Sequence, residues 1–127
     1  MTEPVFLLDA NICIYVLNDA GGAAAHMVQS QDEGRVVTSS IAFAEVMRGI
    51  PPEEMLAEER ARAFFALIRP LPFDLPAAEC YARLPFRRGA FDRLIAAHAL
   101  ALNLTLVTNN ERDFADIPGL KIENWTL

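Results

Sequence analysis

Three short strand-like runs with apolar centres, each closed by a polar residue and alternating along the chain with stretches of helical spacing, constrain the fold of this chain more than any other feature. Val5-Phe6-Leu7-Leu8 ends at Asp9, Arg35-Val36-Val37-Thr38 ends at Ser39, and Leu104-Thr105-Leu106-Val107 ends at Thr108. A strand that is apolar without alternation has no solvent face, so it belongs inside a parallel sheet covered on both sides. Helices between successive strands supply that cover and return the chain for each parallel crossover. The pattern predicts an α/β fold, a three-layer α/β/α arrangement around a parallel sheet of about five strands. In such folds ligands collect beyond the carboxyl ends of the strands.

The intervening segments fill in this frame. A helix starts near Asn11 and breaks at Gly21-Gly22, and a second short helix covers Ala23 to Gln31. Ser39-Ser40 caps a helix that stops at Gly49 before Pro51-Pro52. Glu53 to Arg69 has helical spacing and is expected to turn Leu56, Ala63, Phe64, Leu67 and Ile68 to the core. Leu71-Pro72-Phe73 reads as an edge strand because of its proline, and Pro76 opens a helix through Leu84. Phe91 to Leu102 is the clearest helix, with Phe91, Leu94, Ile95, His98 and Leu102 on one stripe, and a last strand lies near Leu120 to Glu123.

The length of 127 residues favours a single domain over residues 1–127, and 53% hydrophobic with 22% charged residues is the composition of a folded globule. Cys13 and Cys80 stand far apart and outside any Cys-x-x-Cys spacing, so buried free thiols are expected rather than a disulfide or a zinc site. Met1-Thr2-Glu3-Pro4 is not a basic leader, and no apolar run reaches the roughly 18 residues of a membrane span. A cytoplasmic protein without a membrane partner is expected. The net charge of −6 weighs against a nucleic-acid partner. A site built of carboxylates would itself contribute to that charge, however, and bound cations would invert its local field. Arg87, Arg88 and Arg93 offer planar guanidinium groups suited to phosphate.

Four acids stand where such a site would form. Asp9 directly follows the first strand, where an Asp can also serve as a helix cap. Glu45 lies within Ile41-Ala42-Phe43-Ala44-Glu45-Val46-Met47, a helix apolar on nearly every side, and needs a partner, either Arg48 or a cation. Asp92 is in the first turn of the Phe91–Leu102 helix, where the helix dipole favours an acid, and Asp113 sits in a polar loop after the strand ending at Val107. The predicted topology brings all four to one rim. Converging carboxylates repel one another unless a cation joins them, and an all-oxygen set suits Mg²⁺ or Mn²⁺ rather than zinc.

Phe6-Leu7-Leu8-Asp9-Ala10-Asn11-Ile12-Cys13-Ile14-Tyr15 resembles the opening motif of PIN-domain toxins of the VapC family. Ser39-Ser40-Ile41-Ala42-Phe43-Ala44-Glu45, the stretch from Phe91 to Ala99, and Thr108-Asn109-Asn110-Glu111-Arg112-Asp113-Phe114 resemble its later motifs, in the same order. The resemblance spans nearly the whole chain. It implies strand order 3-2-1-4-5, Mg²⁺-dependent cleavage of RNA (transfer or ribosomal), a homodimer, and a cognate VapB-like antitoxin. It makes Asp9, Glu45, Asp92 and Asp113 the catalytic, metal-binding acids, with Asn11, Ser39, Thr108 and Asn110 as supporting or phosphate-contacting groups. Asn110 stands where many members carry an acid, and the segment Pro85 to Ala90 is short, so a second metal site and substrate choice are the points of departure.

Two other readings compete. Phosphatases and phosphoacceptors of α/β fold also place an Asp after the first strand, but they need a lysine, and Lys121, in the last strand, is the only one. A PIN-like binding module without catalysis is the other, against which the retention of all four acids speaks. His98 reads as a packed histidine rather than a base, and Trp125 as packing or a dimer contact.

Overall fold

The computed structural model describes residues 3–86 and 91–127. Five parallel strands, β1 (Phe6–Leu8), β2 (Val36–Ser39), β3 (Pro70–Leu71), β4 (Thr105–Val107) and β5 (Ile122–Glu123), form one sheet in the order β3-β2-β1-β4-β5. β1 is central: Leu8 sits opposite Thr38 on one side and Val107 on the other. Every residue of β1, β2 and β4 is buried, as unbroken apolar runs require, whereas the edge strands β3 and β5 are partly open. Pro70 is tolerated because β3 is an edge.

Among the described residues six helices flank the sheet: α1 (Ala10–Asn18), α2 (Ala23–Ser30), α3 (Ser40–Arg48), α4 (Met55–Leu67), α5 (Leu75–Arg83) and α6 (Phe91–Leu102). A short 3₁₀ helix covers Glu111–Phe114. Asp9, Ser39 and Asp74 cap α1, α3 and α5 through their side chains, so a polar residue marks the entry to each of these helices. Asn103, with φ of 57°, turns the chain from α6 into β4, in the left-handed region that asparagine tolerates. Among the described residues no helix is long and apolar enough to cross a membrane.

Packing corrects two helix faces read from sequence. α4 buries Ala61 and Phe65, with Ile68 buried just beyond its end and Phe64 half-buried; Ala63 is exposed, and Leu56 and Leu67 are 59% and 68% exposed. Apolar residues surround this helix, so spacing alone does not choose a face. The edge-to-face contact of Phe65 with Phe43 of α3, at 5.0 Å, does. On α6, Ile95 and His98 are buried and Leu94 is half-buried, but Phe91 and Leu102 are exposed. Arg93 is buried in their place. Trp125 packs edge-on against Phe6 at 4.9 Å, a core contact.

Cys13 is fully buried and Cys80 half-buried, both unpaired. Burial pushes the Cys13 thiol up to about 12, which removes its thiolate. Iodoacetamide at pH 8 is therefore expected to label Cys80 alone in the folded protein, and both cysteines after unfolding. Peptide mass spectrometry reads this directly.

Candidate active site

The acids meet because helices of a parallel sheet run antiparallel to its strands. The carboxyl ends of β1 and β4, the beginning of α3 and the first turn of α6 therefore share one rim. Asp9 is nearly inaccessible, at 3% exposure. Its Oδ1 accepts the N–H of Ile12 at 2.9 Å, and the Thr108 hydroxyl donates to the same carboxylate. Burial nonetheless raises its pKa to about 6; Thr108 and the amides of Ile12 and Asn11 oppose the rise, and the charge of Asp92 adds to it. Asp9 is thus both a helix cap and an acid held against its preference for water.

Of the two partners open to Glu45, Arg48 is not the one. Arg48 is exposed, and no ion pair joins it to Glu45 among the described residues. Glu45 Oε1 is buried and has no hydrogen-bond partner among the described residues. Burial raises the pKa of Glu45, and Asp92 and Asp9 raise it further. Asp92, half-buried, is raised by burial and then by Asp113. Asp113 lies exposed on the 3₁₀ helix, where Asn110 Nδ2 donates to its Oδ2. Asp9, Glu45 and Asp92 therefore stand within electrostatic reach of one another and Asp113 within reach of Asp92, although among the described residues no three side chains are drawn together closely enough to hold a metal ion as they stand.

This donor set fits a hard divalent cation. All the candidate ligating atoms are carboxylate oxygens, one buried oxygen lacks a donor among the described residues, and three of the acids hold their protons more strongly than usual, first because burial strips their water and then because neighbouring acids repel their charge. Asp9, Glu45 and Asp92 would hold the ion, with Asp113 at its open side.

The family model for the PIN domain matches residues 6–120 of the chain. The chain belongs to the PIN-domain family. This PIN domain is 34% identical to the tRNA(fMet)-specific endonuclease VapC of Salmonella typhimurium, over 94% of this chain and 97% of that one. It is 30% identical to Ribonuclease VapC2 of Rickettsia felis, over 95% and 98% of the two chains. Among solved structures it resembles VapBC2 from Rickettsia felis bound to a DNA fragment from their promoter, with a TM-score of 0.83 and 28% identity over 95% of this chain and 98% of that one. DNA-bound VapBC from Salmonella typhimurium gives 0.79 and 31%, over 96% and 98%.

Around the acids of the PIN domain, the other expected positions divide. Thr108 supports Asp9 and accepts the N–H of Asn110 at 3.1 Å, and Asn110 holds Asp113. Asn11 is exposed and shares an open groove with Tyr15 and Asn109. Ser39 is wholly buried, accepts the N–H of Ile41 at 3.1 Å, and bonds His98 Nδ1 at 2.9 Å, so of its two expected roles burial disfavours contact with a phosphate and leaves the supporting one. The Ser39 hydroxyl donates to or accepts from Nδ1 according to the imidazole tautomer, and burial lowers the His98 pKa, favouring the neutral ring. Ser39→Ala is expected to cost about 1–2 kcal/mol of stability and to leave the KM for RNA unchanged, as thermal melting and steady-state kinetics would show.

Two cationic expectations also change. Lys121 is exposed, and its Nζ donates to the Asn103 carbonyl at 3.4 Å, at the amino end of β4 and away from the acids. It cannot neutralise a phosphoryl group on Asp9, which removes the phosphatase reading. Arg93 is not a surface phosphate ligand. It is 2% exposed, and its two terminal nitrogens reach Asp116 Oδ1 and Oδ2 at 3.1 and 3.0 Å. Arg87, Arg88 and the stretch 87–90 of the short segment before Asp92 lie outside the described residues.

Proposed function

We propose that this PIN-domain protein is the ribonuclease toxin of a type II toxin–antitoxin pair, acting in the cytoplasm as a homodimer restrained by a VapB-like antitoxin. It hydrolyses RNA phosphodiester bonds with Mg²⁺, or Mn²⁺, held by Asp9, Glu45, Asp92 and Asp113. Divalent-metal dependence is general among PIN-domain nucleases. The observation that carries the reading is the buried Glu45 Oε1, without a hydrogen-bond partner among the described residues, near Asp9 and Asp92 at the carboxyl end of the sheet. An orphaned carboxylate oxygen among like charges costs stability unless a cation completes it. The names of the relatives, ribonuclease and tRNA-specific endonuclease, and the VapBC complexes support the RNA substrate and the antitoxin.

A bound Mg²⁺ would offset the repulsion of the acids and supply the positive charge that polarises water and the scissile phosphate. The protein's own groups do the rest. Asp9 is fixed by Ile12 and Thr108, so one carboxylate orientation is set before substrate arrives. Asp113, open to solvent, would complete the shell or orient the attacking water. In-line attack would leave a 5′-phosphate and a 3′-hydroxyl, with the ribose 2′-hydroxyl serving recognition.

Purified, antitoxin-free protein incubated with total RNA, and with transfer RNA alone, tests this. Discrete fragments carrying 5′-phosphates are expected with Mg²⁺ or Mn²⁺ and none with EDTA. Intact RNA under every metal, with specific antitoxin binding preserved, would instead establish a non-catalytic binding module.

A further inference from the structure

We propose that Arg93 is a positioning residue: its guanidinium fastens the loop that carries Asp113 to the first turn of α6, setting Asp113 against Asp92 and so the affinity of the site for its divalent cation. This rests on the metal-nuclease reading above and concerns a residue outside the acid set.

The geometry is specific. Arg93 follows Asp92 directly in α6, yet its side chain, 3% exposed, turns inward and spans to the segment after β4. Nη1 donates to the Asp113 carbonyl at 3.0 Å and to Asp116 Oδ1 at 3.1 Å, while Nη2 donates to Asp116 Oδ2 at 3.0 Å. A two-pronged pair with a carboxylate fixes orientation as well as distance. The third bond falls on the backbone of the metal-site acid itself. Among the described residues no other hydrogen bond joins α6 to the 3₁₀ segment. That segment is otherwise tied by the buried Phe114 ring, by local bonds such as Asp113 N–H to the Asn110 carbonyl at 3.2 Å and Asn110 Nδ2 to the Asp113 carboxylate, and by the exposed Asn124–Glu111 bond at 3.1 Å.

The need for a tether follows from charge. Asp92 and Asp113 repel each other, and an exposed loop acid relaxes away from its neighbour unless its backbone is held. Arg93 supplies that restraint by a route that leaves the metal-facing side of both acids free. Buried as it is, the same guanidinium cannot also grip an RNA phosphate. Arg93→Met would remove the fork from Asp116 and the donor from the Asp113 carbonyl in one step, a severe change. Asp116→Asn removes the charged fork while keeping shape, on a side chain that is 32% exposed, and Arg93→Lys keeps the charge but not the fork.

The experiment compares wild type, Asp116→Asn and Arg93→Lys in three readouts: Mn²⁺ affinity by calorimetry, amide hydrogen exchange, and KM and kcat on RNA. Both variants are expected to bind Mn²⁺ about 10-fold more weakly and to exchange the amides of Asp113, Ala115 and Ile117 faster, with α6 unchanged. KM should stay at the wild-type value, and kcat at limiting Mn²⁺ should fall and recover at saturating Mn²⁺. Wild-type Mn²⁺ affinity in both variants, whatever their melting temperatures, would reduce the pair to a structural one and overturn the proposal. A raised KM with unchanged Mn²⁺ affinity would make Arg93 an RNA contact and overturn it equally. A wild-type protein that binds no Mn²⁺ would remove the nuclease reading as well, so the two failures are distinct.

Discussion

Asp9→Asn is expected to lower the rate of RNA cleavage by about 10³-fold while raising the stability of the metal-free protein at neutral pH. The first effect follows because the substitution removes a charged ligand from the centre of the acid set, and stabilisation by a bound metal is worth several kcal/mol, each ~1.4 kcal/mol being tenfold. The second follows because asparagine caps a helix as well as aspartate does, so the Ile12 amide and the Thr108 hydroxyl keep a partner. The only loss is a buried negative charge facing Asp92 and Glu45. A variant that is dead and yet more stable than its parent separates a functional acid from a merely structural cap. Single-turnover cleavage and urea unfolding without metal measure the two effects.

The metal-free wild type is expected to lose stability as pH rises from about 4 to about 7. The Asp9 carboxyl is shifted from 3.8 unfolded to about 6 folded, so in that window the folded state binds more protons than the unfolded one. The stabilisation is complete below the unfolded pKa and disappears as pH rises through the folded one. A shift of about two units corresponds to about 3 kcal/mol, and Glu45 and Asp92, both raised, act in the same direction. His98, lowered by burial, acts oppositely, favouring the folded state as pH rises. The comparison that isolates the acid is therefore wild type against Asp9→Asn, followed by urea unfolding across the window: the parent's curve should fall more steeply by about that amount. Adding Mg²⁺ should restore the parent at pH 7.5 and leave the variant nearly unmoved.

The strands were legible because Phe6–Leu8, Val36–Val37 and Leu104–Val107 are apolar without alternation, which only a doubly covered sheet accommodates. Their caps were legible for the same local reason, and the acids followed from their places beside those strands. Motif order supplied what local pattern could not, the strand order and the grouping of Asp9, Glu45, Asp92 and Asp113. What escaped reading depended on contacts between elements distant in sequence. Arg93 looked like a surface cation because its partner, Asp116, lies 23 residues away on another segment. The hydroxyl of Ser39 looked available until His98, 59 residues on, occupied it. The α4 face was ambiguous because apolar residues ring that helix, and only the position of Phe43 selects Phe65 over Leu67. In each case the sequence names the group while tertiary packing decides which way it points.

On the proposed function, the rim acids form a cation site before they serve any other role. The most direct test is a calorimetric titration of metal-free protein with Mn²⁺ at pH 7.5, run beside Asp9→Asn and Glu45→Gln. Saturable binding by the wild type, accompanied by proton release and lost in both variants, is the expected result. Absence of saturable binding, or binding that survives both substitutions, would contradict it and leave the four carboxylates without a common role.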